Sequence, residues 1–413
     1  MKSFRELPRD AWLLLIARGI FSMLESLLLV ALILRVESSG AGTIANAGLM
    51  ISMAIPAVVT MRWAGRVADK ADSRWILTWA ILAEVIACLV LATSITLDPG
   101  WIMYGACVVF QAGYSFANPV WMILIPKIVG EAKVQQIAGA QMLITSLATP
   151  AGAAIAGVLV DLVGTQIVPV IAAGLLVVVG ILARSIRTRH EGEAGTETEI
   201  RETGGMASIR RDRVLLPVLI GGMMIGLVVG GVNVVEVFLV REDLGASATQ
   251  YGLSEVFFAV GTAVASLIVM RLATDLNRTW AIVLGFGGIG LVCVAISQVG
   301  NFYVYAGLLT LIGLGNAVGS GALGPLFLLR SPEPMRGRVL ATVNGLFSAA
   351  SIVALFLGGL AGAWLGPRTT FLVAGLLAVP VITVIGIVSI PASRRDGPSD
   401  IDNPTDDIPT TAL

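Results

Sequence analysis

Twelve stretches of this chain stay apolar for about 20 residues or more, the length a helix needs to cross the hydrocarbon core of a bilayer. They lie at 11–34, 43–63, 75–97, 100–124, 135–160, 165–184, 214–240, 248–270, 279–299, 301–329, 339–363 and 368–391. Backbone N–H and C=O groups find no water inside lipid, so these runs are expected as helices. Their order carries a second constraint. Asp69 follows Arg35 by 34 residues, and Asp275 follows Arg241 by 34, so the two pairs are offset by 206. At the same offset Asn118-Pro119 returns as Gly324-Pro325, and Gly139 as Gly345. Shorter repeats, of about 20–50 residues, would indicate a solenoid. Half a chain repeated in parallel predicts two homologous six-helix bundles facing each other, the arrangement that holds a substrate between halves near the bilayer midplane.

The expected fold is therefore an all-α membrane protein. Residues 1–184 form an N-terminal bundle, 185–213 a polar linker, 214–391 a C-terminal bundle and 392–413 a disordered cytoplasmic tail. Charged residues make up only 13% of the chain, about half the share of a soluble domain, while hydrophobic residues reach 56%. The 47 glycines suit helices packed through small side chains. Cys88, Cys107 and Cys293 all fall inside apolar runs, which argues against a disulfide framework or a thiolate metal site. The polar start MKSFRELPRD precedes a run long enough to span, so no cleaved signal peptide is expected.

The position of the basic residues orients the chain. With the N-terminus cytoplasmic, one side collects Lys2, Arg5, Arg9, Arg62, Arg66, Lys70, Arg74, Lys127, Lys133, the linker cluster, Arg271, Arg278, Arg330, Arg336, Arg338, Arg394 and Arg395. Only Arg35, Arg241 and Arg368 fall on the other. A multi-pass protein of the cell (inner) membrane with both termini cytoplasmic is expected.

After the second span the chain reads Gly65-Arg-Val-Ala-Asp69-Lys70-Ala-Asp72-Ser-Arg74, with a degenerate copy, Arg271-Leu-Ala-Thr-Asp275-Leu-Asn-Arg278, in the second half. This resembles the G-x-x-x-D-[RK]-x-x-x-R loop signature of the major facilitator superfamily, with Gly65, Asp69, Lys70 and Arg74 in register. Physically, a glycine admits a close helix approach, and an Asp near a helix N-terminus is favoured by its dipole. The resemblance implies that Asp69 latches onto the start of helix 11 as a cytoplasmic gate; the alternative is a tight loop with incidental charges. Ala117-Asn118-Pro119, Ile125-Pro126-Lys127 and Arg336-Gly337-Arg338-Val339 are similar to the branch containing the enterobactin exporter and the macrolide and multidrug efflux proteins. That resemblance implies export. Two departures bear on antiport and its coupling, not on the direction. Helix 5 has Leu147-Ala148-Thr149-Pro150-Ala151-Gly152, without the glycine that drug antiporters carry before the proline. Helix 4 lacks their membrane-embedded Arg, with Val109, Phe110 and Gln111 near its middle.

Charges within the spans are the best pointers to function, since each is costly unless paired or hydrated. Arg18 and Glu25 lie seven residues apart, hence on one face of helix 1 and about 10 Å apart along its axis. The order Arg18, Ser22, Glu25 matches that of related exporters. Glu25, near mid-membrane, is the first candidate for proton coupling or for binding a cationic substrate; a structural Arg–Glu contact is the alternative. Glu236 with Asn233, and Glu255 with Tyr251, are expected nearer the outer end, where a solvated rim is the competing explanation. Glu84 is deep, but on a helix that usually supports the bundle, so interhelical pairing accounts for it better. Asp161 is placed at the outer end of helix 5. His190, the single histidine, falls in the linker, so any proton relay must use carboxylates.

Asn46, Gln111, Asn118, Gln141, Asn233, Asn316 and Asn344, together with Ser22, are cavity candidates. Met23, Met142, Phe110, Phe327 and Trp121 would add an adaptable apolar lining, with core packing as the default for each. Few charges and many soft apolar side chains favour a lipophilic or amphiphilic solute over a sugar. No G-x-x-x-x-G-K-[ST], no His/Cys cluster and no G-x-S-x-G occurs, so ATP, metal and serine-hydrolase chemistry are not indicated and no cofactor is expected. The chain reads as a monomeric secondary active transporter, not an enzyme, with a small molecule, protons and the lipid bilayer as partners and no nucleic acid. A lysolipid flippase and a non-transporting sensor on the same fold are the alternatives.

Overall fold

The computed structural model describes residues 8–97, 100–130, 133–188, 206, 209, 210, 212, 214–269 and 275–395. The acidic tail, most of the linker with His190, and Arg271 lie outside these residues, as does the side chain of Asp275. Among the described residues twelve helices are long and apolar enough to cross a membrane. They are α1 (Arg9–Ser38), α2 (Gly42–Lys70), α3 (Ser73–Leu97), α4 (Gly100–Val129), α5 (Val134–Val163) and α6 (Val168–Ser185) in the first half. The second holds α7 (Leu215–Phe238), α8 (Ala248–Val269), α9 (Asp275–Ser297), α10 (Phe302–Arg330), α11 (Arg336–Leu365) and α12 (Pro367–Arg395). A single π turn, Leu239–Asp243, extends α7.

Several helices overrun their apolar stretches. Gly65, Asp69 and Lys70, expected in a loop, lie in the last turns of α2; Arg74 is already in α3, and Arg336 and Arg338 open α11. Hydropathy marks only the part of a helix that lipid requires to be apolar, and the hydrogen-bond ladder continues past it.

The parallel repeat is visible in the packing. In the first half α1 packs on α5 and α6, α2 on α4, and α3 on α4 and α6. Six helices on, α7 packs on α11 and α12, α8 on α10, and α9 on α10 and α12. Small residues make these contacts. A Cβ added at Gly285 of α9 would meet the backbone of Gly315 on α10, and one at Gly290 would meet that of Gly375 on α12. Helices stripped of side chains at such points approach closely enough for dispersion to hold them without a hydrophobic driving force.

The halves meet along two seams, α2 against α11 and α5 against α8. An even number of crossings puts both chain ends on one side, here the terminal end; the other is the distal end. Both seams are tight distally. A Cβ on Gly157 of α5 would strike Ala248 of α8, and one on Gly252 would strike Ala153. Gly359 and Gly362 of α11 similarly abut Ala47 and Thr43 of α2. Toward the terminal end a Cβ at Gly65, Gly139, Gly337 or Gly345 would meet nothing within 4 Å. The close approach expected at Gly65 is therefore not made in this conformation, because the seams have parted there.

Candidate functional site

A cavity of about 640 Å³ lies between the halves. It sits where the seams diverge, walled by α1, α2, α4 and α5 from one half and by α7 to α12 from the other. Polar side chains from both halves face it: Glu25, Gln111 and Thr149 on one side, Asn233, Glu236, Tyr251, Glu255, Tyr305 and Asn316 on the other. Met50, Met53, Phe258 and Phe371 are among its apolar residues.

On the first-half side, Tyr114 and Gln111 of α4 stand beside the Glu25 carboxylate. Tyr114 also stands beside Arg18. The Arg18 guanidinium stands 5.9 Å from the centroids of both Phe21 and Tyr114, whose rings stack 4.9 Å apart. A structural Arg–Glu contact was the alternative reading of this pair; in the fold Tyr114 of α4 stands beside both groups. One helical face brings Arg18 and Glu25 into line, but the partner that satisfies them comes from another helix. Two nitrogens of the buried guanidinium, Nε and Nη1, make no hydrogen bond, so the ring faces supply part of its stabilisation.

On the second-half side, the Tyr305 hydroxyl of α10 donates to Glu236 of α7. Glu255 of α8 lies near enough to Glu236 for their charges to repel, with Tyr251 beside both. Glu236 and Glu255 were candidates for coupling or substrate contact, with a solvated outer rim as the competing explanation; both line the central cavity.

Glu84 has a different setting. It is fully buried on α3 and presses its side chain against Gly113 of α4, and neither carboxyl oxygen has a hydrogen-bond partner. The interhelical pairing expected there is replaced by packing against a glycine, with Glu25 as a nearby acid.

The other cavity candidates are dispersed. Asn46 is fully buried in the α2 seam, where Nδ2 donates to the Val234 carbonyl at 2.8 Å. Gln141 is buried with Nε2 against the Met122 sulfur at 3.8 Å. Asn118 is half-buried on α4, Ser22 is buried on α1, and Asn344 is exposed on α11. Phe110, Phe327 and Trp121 are core residues, and Met142 is 76% exposed. Periodicity marks a face of a helix, but which neighbour meets that face depends on the tertiary arrangement.

The motif residues are likewise divided. Arg74 donates through Nη2 to the carbonyls of Ile186 (2.6 Å) and Arg187 (3.4 Å), tying the start of α3 to the exit of α6. Asp10 secures the same segment by accepting from the Arg187 and Thr188 backbone. Arg336 bonds locally to Glu333 and Ser331, and Arg338 reaches the Met335 sulfur. Asp69 and Lys70 are exposed at the end of α2, and Arg278 is half-buried in the first turn of α9.

Sequence reading missed two groups. The first is two tyrosines. Tyr114 and Tyr305, like the Tyr251 noted with Glu255, stand beside the carboxylates. The available signal was that a tyrosine inside a span must find a polar partner. The second is the distal closure. Asp161, at the end of α5, accepts from the backbone N–H of Ala248 (3.2 Å) and Thr249 (2.8 Å) at the start of α8. A capping box between Ser247 and Gln250 already fixes that helix start. Glu37 pairs with Arg241 across the halves at 3.3 Å, and Thr43 donates to the Gly359 carbonyl at 2.8 Å.

Comparison with known proteins agrees with this architecture. The family model described as Major Facilitator Superfamily matches residues 14–239 and 218–410. An uncharacterized MFS-type transporter of Bacillus subtilis (strain 168), YfiS, is 24% identical over 367 residues, covering 84% of this chain and 85% of that protein. Among solved structures, the nucleoside transporter NupG superposes with a TM-score of 0.72 at 13% identity, over 92% of this chain and 99% of that one. A bacterial homologue of the iron transporter ferroportin, in an inward-facing state, gives 0.71 at 16% identity, over 93% and 98%.

Proposed function

The chain belongs to the major facilitator superfamily, and on that premise we propose that it exports a lipophilic or amphiphilic small molecule across the cell membrane by proton-coupled antiport. The observation that carries this reading is the cavity of about 640 Å³ between the halves, faced by carboxylates from both and sealed distally. Its volume suits a drug-sized solute, and its mixture of methionine, aromatic and a few polar side chains is the usual composition of such a site.

The terminal end is the cytoplasmic one in this reading, as the basic residues demand, so the conformation described is loaded from the cytoplasm. To release its cargo the molecule must part the distal seams and close the terminal ones. Gly65 and Gly337 then provide the space for α2 and α11 to meet, and Asp69 supplies a charge for the α11 N-terminus. Glu25 is the proton-coupling residue. It faces the cavity, and Tyr114 and Gln111 hold its orientation. The likeness of residues 117–131 and 336–339 to the efflux branch supports the outward direction.

A lysolipid flippase would need a cationic side chain for the head-group phosphate. Among the described residues lining the cavity there is no Lys, Arg or His, which favours the exporter.

The test is reconstitution into vesicles with an imposed proton gradient and a panel of radiolabelled lipophilic solutes, with and without an uncoupler. Gradient-dependent, uncoupler-sensitive movement of a panel member is expected. Downhill equilibration that ignores the gradient, or redistribution of labelled lysolipid alone, would overturn the assignment.

A further inference from the structure

The carboxylates in the cavity are unequally compensated, and the difference bears on what is carried. Glu25 has Tyr114 and Gln111 beside it and the positive charge of Arg18 close by. Glu236 and Glu255 stand together on α7 and α8 with tyrosines for company. Glu255 is exposed to the cavity, and among the described residues no basic side chain lines it. Two neighbouring carboxylates repel each other as anions, and a positive charge between them removes that cost. The walls around them are aromatic and thioether surfaces: Tyr251, Phe258, Phe371, Met50 and Met53. Ring faces attract a cation, and methionine adapts to its apolar body.

We propose that the Glu236–Glu255 side of the cavity recognises the charged head of an amphiphilic organic cation, with the remaining apolar wall holding its body. An inorganic ion fits less well. A space of about 640 Å³ far exceeds a bare cation, and among the described residues no three His, Cys, Asp or Glu side chains converge as a metal site requires. An anionic solute would find repulsion from three carboxylates and no counter-charge on the wall.

This inference rests on the cavity being the substrate path, but its test does not depend on transport. Tetraphenylphosphonium and tetraphenylborate share size and shape and differ in the sign of their charge. Equilibrium binding of each to the purified full-length chain in detergent isolates the electrostatic contribution. Tetraphenylphosphonium is expected to bind at least about tenfold tighter, and Glu236→Gln and Glu255→Gln each to weaken it by about tenfold, ~1.4 kcal/mol. Equal or tighter binding of tetraphenylborate to the unaltered chain overturns the proposal, as does a failure of tetraphenylphosphonium to saturate any site. That comparison needs no variant, so a misfolded mutant does not rescue the idea. Selective cation binding without gradient-driven transport would uphold this site and defeat the exporter reading. Transport of neutral solutes with no discrimination between the two ions would do the reverse.

Discussion

At the scale of single residues the two halves repeat a chemical theme in different positions. Each places a carboxylate on its first helix against a tyrosine on its fourth, Glu25 with Tyr114 and Glu236 with Tyr305. The pairs do not obey the 206-residue offset that relates the halves, so helix placement, not sequence register, makes them alike. Tyr305→Phe deletes one hydroxyl and leaves the Glu236 carboxylate short of a donor. Loss of such a bond to a charged group costs about 1.5–3 kcal/mol, so a fall in melting temperature of several degrees is expected by calorimetry in detergent. An unchanged transition would mean that water replaces the phenol. Glu25→Gln keeps the size and hydrogen bonding of the side chain but cannot take up and release a proton. Gradient-driven export should be lost in vesicles while the melting temperature holds. Full uncoupler-sensitive export by this variant would sink the coupling role and make Glu255 the next residue to test.

Among elements, the distal seams hold the conformation described here. The start of α8 is fixed by its own Ser247–Gln250 box, and Asp161 then adds a charge from the other half to the Ala248 and Thr249 N–H groups. A carboxylate at a helix N-terminus contributes on the order of 0.3–1 kcal/mol, more when partly buried. Removing it with Asp161→Asn should shift the equilibrium toward the distally open state by roughly fivefold, about 1 kcal/mol. A cysteine introduced at distal Thr43 would report this by faster maleimide labelling in the variant, and identical rates would show that Asp161 does not hold the seam. Steric control of the same seam lies at Gly252, where an added Cβ meets the Ala153 carbonyl. Gly252→Val should keep the distal end open and abolish turnover, while Gly139→Ala, at a site with nothing within 4 Å, should leave the distal seam as it is.

For the molecule as a whole, alternation between two closures is the property at stake. Asp69→Asn removes a charge at the terminal end of α2 without changing shape. It should slow transport severalfold by destabilising the terminally closed state, with membrane insertion intact. Distance measurements between spin labels at the terminal ends of α2 and α11 would check this. A distance distribution that Asp69→Asn leaves unaltered would falsify the latch.

The spans, the parallel repeat and the family signature were legible in the chain itself. Lipid demands long apolar helices whatever the neighbours are, and a gene-length repeat leaves its spacing in the sequence. Glu25 was legible for a similar reason, since a charge in mid-membrane is too costly to be incidental. The association of Glu236 with Glu255 and Tyr305, the burial of Asn46 in a seam and the cap that Asp161 places on α8 were not. These contacts join residues on different helices, up to 188 positions apart, and each depends on which helix faces which. Helical periodicity identifies the polar and apolar faces of a span. Only the packing of twelve such spans, through close glycine contacts at one end and parted seams at the other, decides which of those faces meet each other and which line the cavity.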